Sequence, residues 1–326
     1  AGTVIEVLKP ACSGERECAN VVLPIVSNQA GKPFMLYNVE CSMGYRQDRE
    51  VVDSYADSLG VTSDCRLKCE NGCKTCKIRL MPTVKYQVEV DVVEKAKCLD
   101  DVNGDSYMVK LLDDGRLAMA ISDGMGTGIS ASRESKAAIK MLAKLLEMGV
   151  ESEFAVQTVN LMMLMRSKDD SFTTLDLTVV DLFSGTAEVI KAGAPSSVVK
   201  RGKEAASVGG YSLPAGVFAP LEIQKIEIEL ADDDVMVMMS DGVGEGFSSG
   251  VDWNKKVNKV LKHLGDVSVS EINRAILNIS NGNYKKSGVR KDDMTILTAR
   301  LKRVQKAEGA MSPVVFDRED VYAQDV

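Results

Sequence analysis

Hydrophobic and polar positions divide much of the 326-residue chain into stretches with two different periods. Apolar and polar residues alternate over 86–93, which is typical of a half-buried strand. Apolar residues recur at helical spacing over 131–148 and 152–166, and again over 252–264 and 269–280. The order is therefore strands, a helix pair, strands, a second helix pair and a last strand. The predicted strands span 86–93, 107–112, 116–122, 175–181, 187–191, 197–200, 224–230, 235–240 and 294–301.

Short turns join several of these strands. Asp113-Asp114-Gly115 is a hairpin-type turn, and residues 231–234 form an acidic turn between two other strands. Tight turns join antiparallel strands, whereas parallel strands need long crossover connections. The pattern predicts antiparallel sheets with segregated helices, an α+β domain. Residues 304–326 are predicted to be a solvated tail.

The composition narrows the possible chemistry. The chain has one histidine, His263, and 47 acidic residues against 40 basic ones. This count excludes three-histidine zinc sites, HExxH metalloprotease sites and iron sites with two histidines. His263 lies on a lysine-rich helix flank, so we expect it to be solvated rather than catalytic. The net charge of −7 and the absence of a basic stripe argue against nucleic-acid binding.

Residues 1–84 form a compositional unit rich in cysteine and glycine, and we predict a small domain there, followed by a second domain over 85–303. Seven of the eight cysteines lie before residue 77. Four of them could bind zinc or an iron–sulfur cluster as thiolates. Reduced surface or core thiols are the alternative interpretation, and a disulfide is less favoured. The four are Cys65, Cys69, Cys73 and Cys76.

An acidic motif occurs twice at the end of an apolar strand. Ser-Asp-Gly-x-Gly appears at 122–126 and again at 240–244, and its aspartates are Asp123 and Asp241. Asp105 and Asp292 precede two further strands. A buried strand end with an aspartate is unfavourable unless the carboxylate is solvated, hydrogen-bonded or bound to a metal. If the sheets gather these four residues, they form an anionic cluster for which Mg²⁺ or Mn²⁺ fits best.

Each motif alone has a plainer interpretation. Asp-Gly is a common turn sequence, so a single occurrence predicts only a turn. Residues 124–128 have glycines at G-x-G-x-G spacing, which differs from a dinucleotide-binding loop and disfavours a nucleotide-dependent oxidoreductase. The repetition of the motif, together with Asp-Asp-Met-Thr at 292–295, favours the metal interpretation.

The ordered motifs resemble those of the metal-dependent type 2C (PPM) protein phosphatases. More narrowly, residues 104–106, 122–126, 134–135 and 191–201 resemble the stage II sporulation protein E family of bacterial serine phosphatases. The resemblance covers roughly residues 85–303, and it extends less specifically to a regulatory region upstream. The motifs are Asp123-Gly124-Met125-Gly126, Thr173-Thr174-Leu175-Asp176, Leu213-Pro214-Ala215-Gly216, Ser240-Asp241-Gly242 and Asp292-Asp293-Met294-Thr295.

The resemblance implies an α-β-β-α sandwich of two antiparallel sheets flanked by helices, with a smaller Cys-rich regulatory domain at the N-terminus. It implies a centre for two ions, Mn²⁺ or Mg²⁺, that activates water for attack on phosphoserine. Asp123 would bridge the ions, and the carbonyl of Gly124 would bind one of them. Asp241 and Asp292 would complete the other shell. Asp105 would bind an ion directly or through water.

The sequence departs from the family pattern at two positions. Met125 stands where many relatives have a histidine that is a proposed general acid, so the leaving-group proton would come from water or another group. Asp293 stands where many relatives have asparagine. In addition, no arginine occupies an obvious phosphate-binding position near the start of the second domain.

The resemblance also implies partners and a location. The substrate would be a phosphorylated anti-sigma factor antagonist, so that the reaction controls sigma factor activation in sporulation. The helix pair within 131–166 would be a switch and a homodimer interface, and the upstream region would contact a cell-division tubulin-like protein.

No signal peptide is visible, and no apolar run approaches the ~20 residues of a membrane helix. We expect the cytoplasmic part of a membrane-anchored protein. The alternative function is a non-catalytic metal- or redox-sensing interaction module built on a phosphatase scaffold.

Overall fold

A computed structural model gives the fold of the chain. Side chains are described for residues 84–97, 102–112, 114–166, 172–210, 212–247, 252–280, 292–304 and 314–316, and the backbone is also described for six strands nearer the N-terminus. The chain forms two compact units, Ala1–Val84 with Glu308–Ala310 and Lys85–Ala307 with Met311–Val326. Within the described ranges, no helix is long and apolar enough to cross a membrane.

The N-terminal unit contains six strands, β1 (Val7–Leu8), β2 (Val21–Val22), β3 (Ile25–Ser27), β4 (Pro33–Glu40), β5 (Val61–Asp64) and β6 (Thr75–Pro82). They form an antiparallel sheet with the strand order β1-β2-β4-β6-β5, and β3 pairs with β4. The side chain of Cys76, which lies in β6, is outside the described residues, as are Cys65, Cys69 and Cys73. The cysteine metal site therefore stays a prediction.

Two sheets form the second unit. The strands are β7 (Tyr86–Lys95), β8 (Asp105–Leu111), β9 (Arg116–Asp123), β10 (Leu175–Asp181), β11 (Thr186–Ala192), β12 (Ser197–Arg201), β13 (Glu204–Val208), β14 (Gln224–Glu229), β15 (Val235–Met239), β16 (Met294–Arg303) and β17 (Val314–Phe316). The five-stranded sheet has the order β14-β11-β10-β9-β8 and is antiparallel. The six-stranded sheet has the order β13-β12-β15-β16-β7-β17, in which β17 pairs parallel with β7 and the other pairs are antiparallel.

Helices cover one face of each sheet. They are α1 (Gly128–Glu147), α2 (Ser152–Arg166), α3 (Asp241–Glu245), α4 (Trp253–His263) and α5 (Val269–Ser280). Leu142 of α1 and Val159 of α2 share a core with Leu177 of the five-stranded sheet. Val257 of α4 and Ile272 of α5 share a second core with the six-stranded sheet. The predicted α-β-β-α sandwich is thereby confirmed.

Central strands are buried on both faces, which explains their nearly continuous apolar runs. Every residue of Val235–Met239 in β15 is buried, because helices cover one side and the other sheet covers the opposite side. The edge strand β14 instead alternates between half-buried and exposed positions.

Four elements of the second unit differ from the sequence predictions. The short helix α3 (Asp241–Glu245) follows β15 directly, where no helical pattern is present. β13 (Glu204–Val208) extends the sheet edge, and its mostly small or polar residues give no strand pattern. Val314–Phe316, inside the predicted solvated tail, forms β17 on the edge of β7. α1 begins at Gly128 rather than 131, because Thr127 with extended backbone occupies the N-cap position.

Candidate metal centre

Asp105 and Asp123 lie directly opposite each other at one end of the five-stranded sheet. Asp105 begins β8, Asp123 ends β9, and the antiparallel register pairs them. Residues paired in this way point to the same face, with Cβ atoms about 4.5–5.5 Å apart. Ala118 and Ala120 face the helices, so alternation places Asp123 on the face toward the second sheet. Two ionised carboxylates in this position repel each other, and a bound cation would offset the repulsion.

The carboxylate of Asp105 is buried, and neither of its oxygens has a hydrogen-bond partner. Burial raises the pKa of Asp105 to about 7. The hydroxyls of Ser240 and Thr295 lower this pKa by a smaller amount, although neither forms a well-aligned hydrogen bond with the carboxylate. A buried carboxylate with two unused oxygens is unfavourable unless a ligand takes them. These two oxygens are the feature of the site that most directly favours a cation.

Asp123 is fixed through its backbone and crowded by acidic neighbours. Its N–H donates to Thr174 Oγ1 (3.0 Å), and its carbonyl accepts from the Thr173 hydroxyl (2.7 Å). Burial first, and then the charges of the other three predicted ligands, together raise the pKa of Asp123 to about 10. Asp123 is therefore the carboxylate around which the acidic side chains gather, as a bridging ligand would be.

The glycines after the two Ser-Asp steps permit very close backbone approaches. A Cβ on Gly124 would lie 2.1 Å from the carbonyl oxygen of Ala131 in α1. A Cβ on Gly242 would lie 1.8 Å from the carbonyl oxygen of Asp293. Either side chain would push the carboxylate-bearing strand end away from its neighbour. The Asp-Gly pairs are thus a packing requirement of this end of the sandwich.

Asp241 and Asp292 reach the same region from the six-stranded sheet. Asp241 is the first residue of α3, directly after β15 and Ser240, and its side chain is exposed. Asp292 lies two residues before β16 and is half-buried. Burial raises the pKa of Asp292, the charge of Asp241 raises it further, and the charge of Lys97 lowers it. The two sheets thus each supply two of the four predicted ligands.

Asp293 has a different role from its neighbour. It is 3% exposed, and its oxygens accept backbone hydrogen bonds from Lys97 N–H (2.7 Å) and Gly104 N–H (2.8 Å). The sequence pattern alone does not indicate a function for Asp293. The one available signal is the tandem Asp292-Asp293, in which neighbouring side chains must point in different directions.

The four predicted carboxylates are gathered at one end of the sandwich, but they do not yet form a completed coordination shell. In the ranges that the structure describes, no group of three acidic, histidine or cysteine side chains has the geometry of a formed metal site. Their mutual influence is nevertheless direct, since three carboxylates raise the pKa of Asp123.

Neither Met125 nor His263 supplies an acid at the site. Met125 is 52% exposed in the loop after β9, and its thioether carries no proton to donate. His263 is exposed at the end of α4, where its Nδ1 lies 2.6 Å from the carbonyl oxygen of Lys259. The expectation of a solvated histidine on a helix flank is confirmed.

A hydrogen-bonded path connects helix α2 with the backbone of Asp123. The buried Asn160 of α2 accepts from Gly216 N–H (2.8 Å) and donates to the carbonyl of Phe218 (2.8 Å). The loop that carries Gly216 pairs with Thr173 through Ala215, with N–O distances of 2.9 and 3.0 Å. Thr173 in turn donates to the carbonyl of Asp123. Movement of α2 would therefore shift the backbone of Asp123, the predicted bridging residue.

A buried ion pair lies beneath this end of the site. Lys191 Nζ is 2.5 Å from Asp176 Oδ2 and 2.8 Å from Ser197 Oγ, and neither charged side chain is exposed by more than 2%. Burial raises the pKa of Asp176 and lowers that of Lys191, while their mutual attraction opposes both changes. Asp176 pairs in register with Lys191 of β11 and with Ile121 of β9. The pair thus lies on the same face as Asp123, one step further into the sandwich.

The fold defines the class of protein. The structure superposes with a TM-score of 0.69 on a PP2C phosphatase domain with a fragment of the regulatory domain, from the cell fate determinant SpoIIE of Bacillus subtilis. The two are 26% identical, and the match covers 89% of this chain and 84% of that one. The chain therefore has the fold of a PP2C phosphatase domain.

Sequence comparison identifies the family within this class. The family model for stage II sporulation protein E (SpoIIE) matches residues 113–302. Stage II sporulation protein E of Priestia megaterium is 29% identical over 300 residues, which is 91% of this chain and 46% of that protein. Its counterpart in Bacillus subtilis (strain 168) is 33% identical over 227 residues, which is 67% of this chain and 26% of that protein. The chain belongs to the SpoIIE family, and it spans less than half the length of these two relatives.

Proposed function

We propose that this chain is a protein serine phosphatase that depends on two divalent ions, Mn²⁺ or Mg²⁺. The single observation that carries the proposal is the buried Asp105, whose two oxygens lack partners and face Asp123 across the strand pair. Oxygen-only ligands of this kind suit a hard cation. The ligands would be Asp105, Asp123, Asp241, Asp292 and the carbonyl of Gly124.

The chain's own residues would prepare the site in three ways. Thr173 and Thr174 form hydrogen bonds with the backbone of Asp123 and so fix the position from which its carboxylate extends. Asp105 and Asp123 stay fully ionised at neutral pH only when positive charge offsets the effects that raise their pKa values. When bound, the ions would supply an activated water and neutralise charge on the phosphoryl oxygens. Because Met125 cannot donate a proton, the leaving serine would take its proton from water.

The substrate would be a phosphorylated protein related to the anti-sigma factor antagonists, and its dephosphorylation would control sigma factor activation in sporulation. Membership of the SpoIIE family supports this part of the proposal.

Helices α1 and α2 would form a switch and a homodimer interface. The outer surface of α2 exposes Phe154 (65%), Leu161 (50%) and Met165 (87%), which is more apolar surface than a monomeric helix normally presents. The same helix holds the loop at Gly216 through Asn160. Pairing of two copies through α2 would therefore bias the position of Asp123.

Phosphate release from a phosphoserine protein tests the catalytic proposal. The full chain is assayed with Mn²⁺, with EDTA, and as the variant Asp241→Asn. We expect release with Mn²⁺ and loss of release in the other two conditions. Release that is independent of metal would refute the mechanism. If no condition gives release while the folded chain still binds the phosphoprotein, the non-catalytic module is the correct function.

A further inference from the structure

Asp293 accepts hydrogen bonds from two residues of the connection between β7 and β8. Its Oδ1 accepts from Lys97 N–H (2.7 Å) and its Oδ2 from Gly104 N–H (2.8 Å). Both donors belong to the connection between β7 and β8, about 190 positions earlier in the sequence. Asp105 follows Gly104 directly. One buried carboxylate therefore fixes the N–H of the glycine that immediately precedes the most deeply buried of the four predicted ligands.

Gly104 is held from its other side as well. The carbonyl of Gly104, in the peptide that joins it to Asp105, accepts a hydrogen bond from Ser135 Oγ of α1 (2.6 Å). A Cβ on Gly104 would lie 2.8 Å from Asp293 Oδ2 and 3.0 Å from the Cβ of Ala131. The space around Gly104 is therefore filled, and Asp293 and Ser135 fix the peptides on its two sides. The orientation of these peptides in turn sets the direction in which Asp105 leaves the backbone.

We infer that Asp293 is a positioning residue that holds Asp105 toward the ions without being a ligand itself. This inference rests on the proposed metal-dependent function. Both oxygens of Asp293 are already used by backbone N–H groups, which leaves Asp105 as the residue with unused oxygens. When a residue that orients a metal ligand through a hydrogen bond is replaced, metal affinity commonly falls by roughly 10- to 100-fold.

A carboxylate suits this role better than an amide. Two N–H donors need two acceptor oxygens, and an asparagine offers one oxygen and one NH₂ group. In Asp293→Asn, one of the two N–H groups would face another donor. In Asp293→Ala, both acceptors are lost. The two variants remove the same charge, so any difference between them reports the hydrogen bonds.

Mn²⁺ binding by the full chain tests the inference. Free Mn²⁺ is measured by electron paramagnetic resonance during titration of the unmodified chain, Asp293→Asn, Asp293→Ala and Asp105→Asn. Each Asp293 substitution is also combined with Asp105→Asn. We expect affinity to fall about tenfold in Asp293→Asn and further in Asp293→Ala. With Asp105 already replaced, the additional loss from either substitution should largely disappear, because Asp293 acts through Asp105.

Asp234→Asn is the matched control. Asp234 is also buried (2% exposed) and accepts a backbone hydrogen bond, from Ala231 N–H (2.8 Å), but it lies at the opposite end of β15. This substitution should lower the melting temperature and leave Mn²⁺ affinity unchanged. Unaltered Mn²⁺ affinity in both Asp293 variants would overturn the inference about Asp293 but not the proposed function. The same holds if the Asp293 substitutions lower Mn²⁺ affinity as much in the Asp105→Asn background as in the unmodified chain, because Asp293 would then be a ligand or a purely electrostatic contributor. Failure of the unmodified chain to bind Mn²⁺ would overturn the proposed function together with it.

Discussion

Asp105→Asn is expected to stabilise the metal-free protein at alkaline pH while weakening its binding of Mn²⁺. The folded protein raises the pKa of Asp105 from 3.8 to about 7 through burial. It therefore holds this proton more tightly than the unfolded chain does, and metal-free stability is lost as the pH rises from about 4 through 7. The difference corresponds to roughly 4 kcal/mol once Asp105 is fully ionised. Asp105 titrates together with its neighbour Asp123, so a somewhat smaller gain of about 2–4 kcal/mol is expected from the neutral amide.

Urea denaturation in EDTA, at pH 5.5 and at pH 8, measures this effect. The unmodified chain should lose stability between the two pH values, and Asp105→Asn should lose less. At pH 8 the variant should be the more stable protein. Addition of Mn²⁺ should reverse the order, since the ion stabilises the folded state that it binds.

Asp233→Asn serves as the control, because Asp233 is an exposed turn residue with a positive φ of 64° that asparagine also adopts readily. This variant should follow the pH dependence of the unmodified chain. If Asp105→Asn is less stable than the unmodified chain at pH 8 in EDTA, the ionised carboxylate does not destabilise the metal-free fold, and a cation site at Asp105 is refuted.

Three further results are expected. His263→Ala should leave phosphate release nearly unchanged, whereas Asp123→Asn should abolish it; equal losses in the two variants would show that imidazole takes part in the reaction. Lys191→Met should destabilise the fold by about 3–5 kcal/mol in thermal or urea unfolding, because it leaves Asp176 buried without its partner. Replacing both members of this pair by apolar residues should recover much of the loss, and a double variant as unstable as the single one would contradict this. Asn160→Ala should lower the free energy of unfolding by about 1–3 kcal/mol, because two backbone groups lose their partners. Phosphate release should also fall as the loop at Gly216 loosens. Unchanged phosphate release would argue against coupling between α2 and Asp123.

The antiparallel sheets with segregated helices and the acidic strand ends could be predicted because they depend on local patterns, whereas the α-β-β-α sandwich is implied by the family resemblance. Apolar runs that end in Ser-Asp-Gly place a carboxylate at a sheet end whatever the rest of the fold. Two such runs, with Asp105 and Asp292 before other strands, suffice to suggest a cluster. The structure brings these four residues to the same end.

The role of Asp293 could not be predicted in the same way. Asp292 and Asp293 are adjacent and chemically identical, and their different roles follow from which face of the segment meets the backbone at Lys97 and Gly104. That contact joins positions far apart in sequence. The Asp176–Lys191 pair could not be predicted from the sequence for a related reason. Charged residues inside apolar strands look like exposed positions until the strand register and the second sheet show that they are buried opposite each other.

The two ends of the sandwich are held in opposite ways. At the end away from the carboxylates, Arg201 of the six-stranded sheet donates to the Glu229 carbonyl of the five-stranded sheet (2.7 Å) and also pairs with Asp234. The N–H groups of Lys85 and Tyr86 bond to the carbonyl of Leu182 in the same region (2.9 and 3.0 Å). The other end gathers like charges from both sheets.

Without ions the sheets should therefore separate first at the carboxylate end. Amide hydrogen exchange would then run as a gradient along each strand, fastest beside Asp123 and slowest beside Arg116, and bound metal would flatten that gradient.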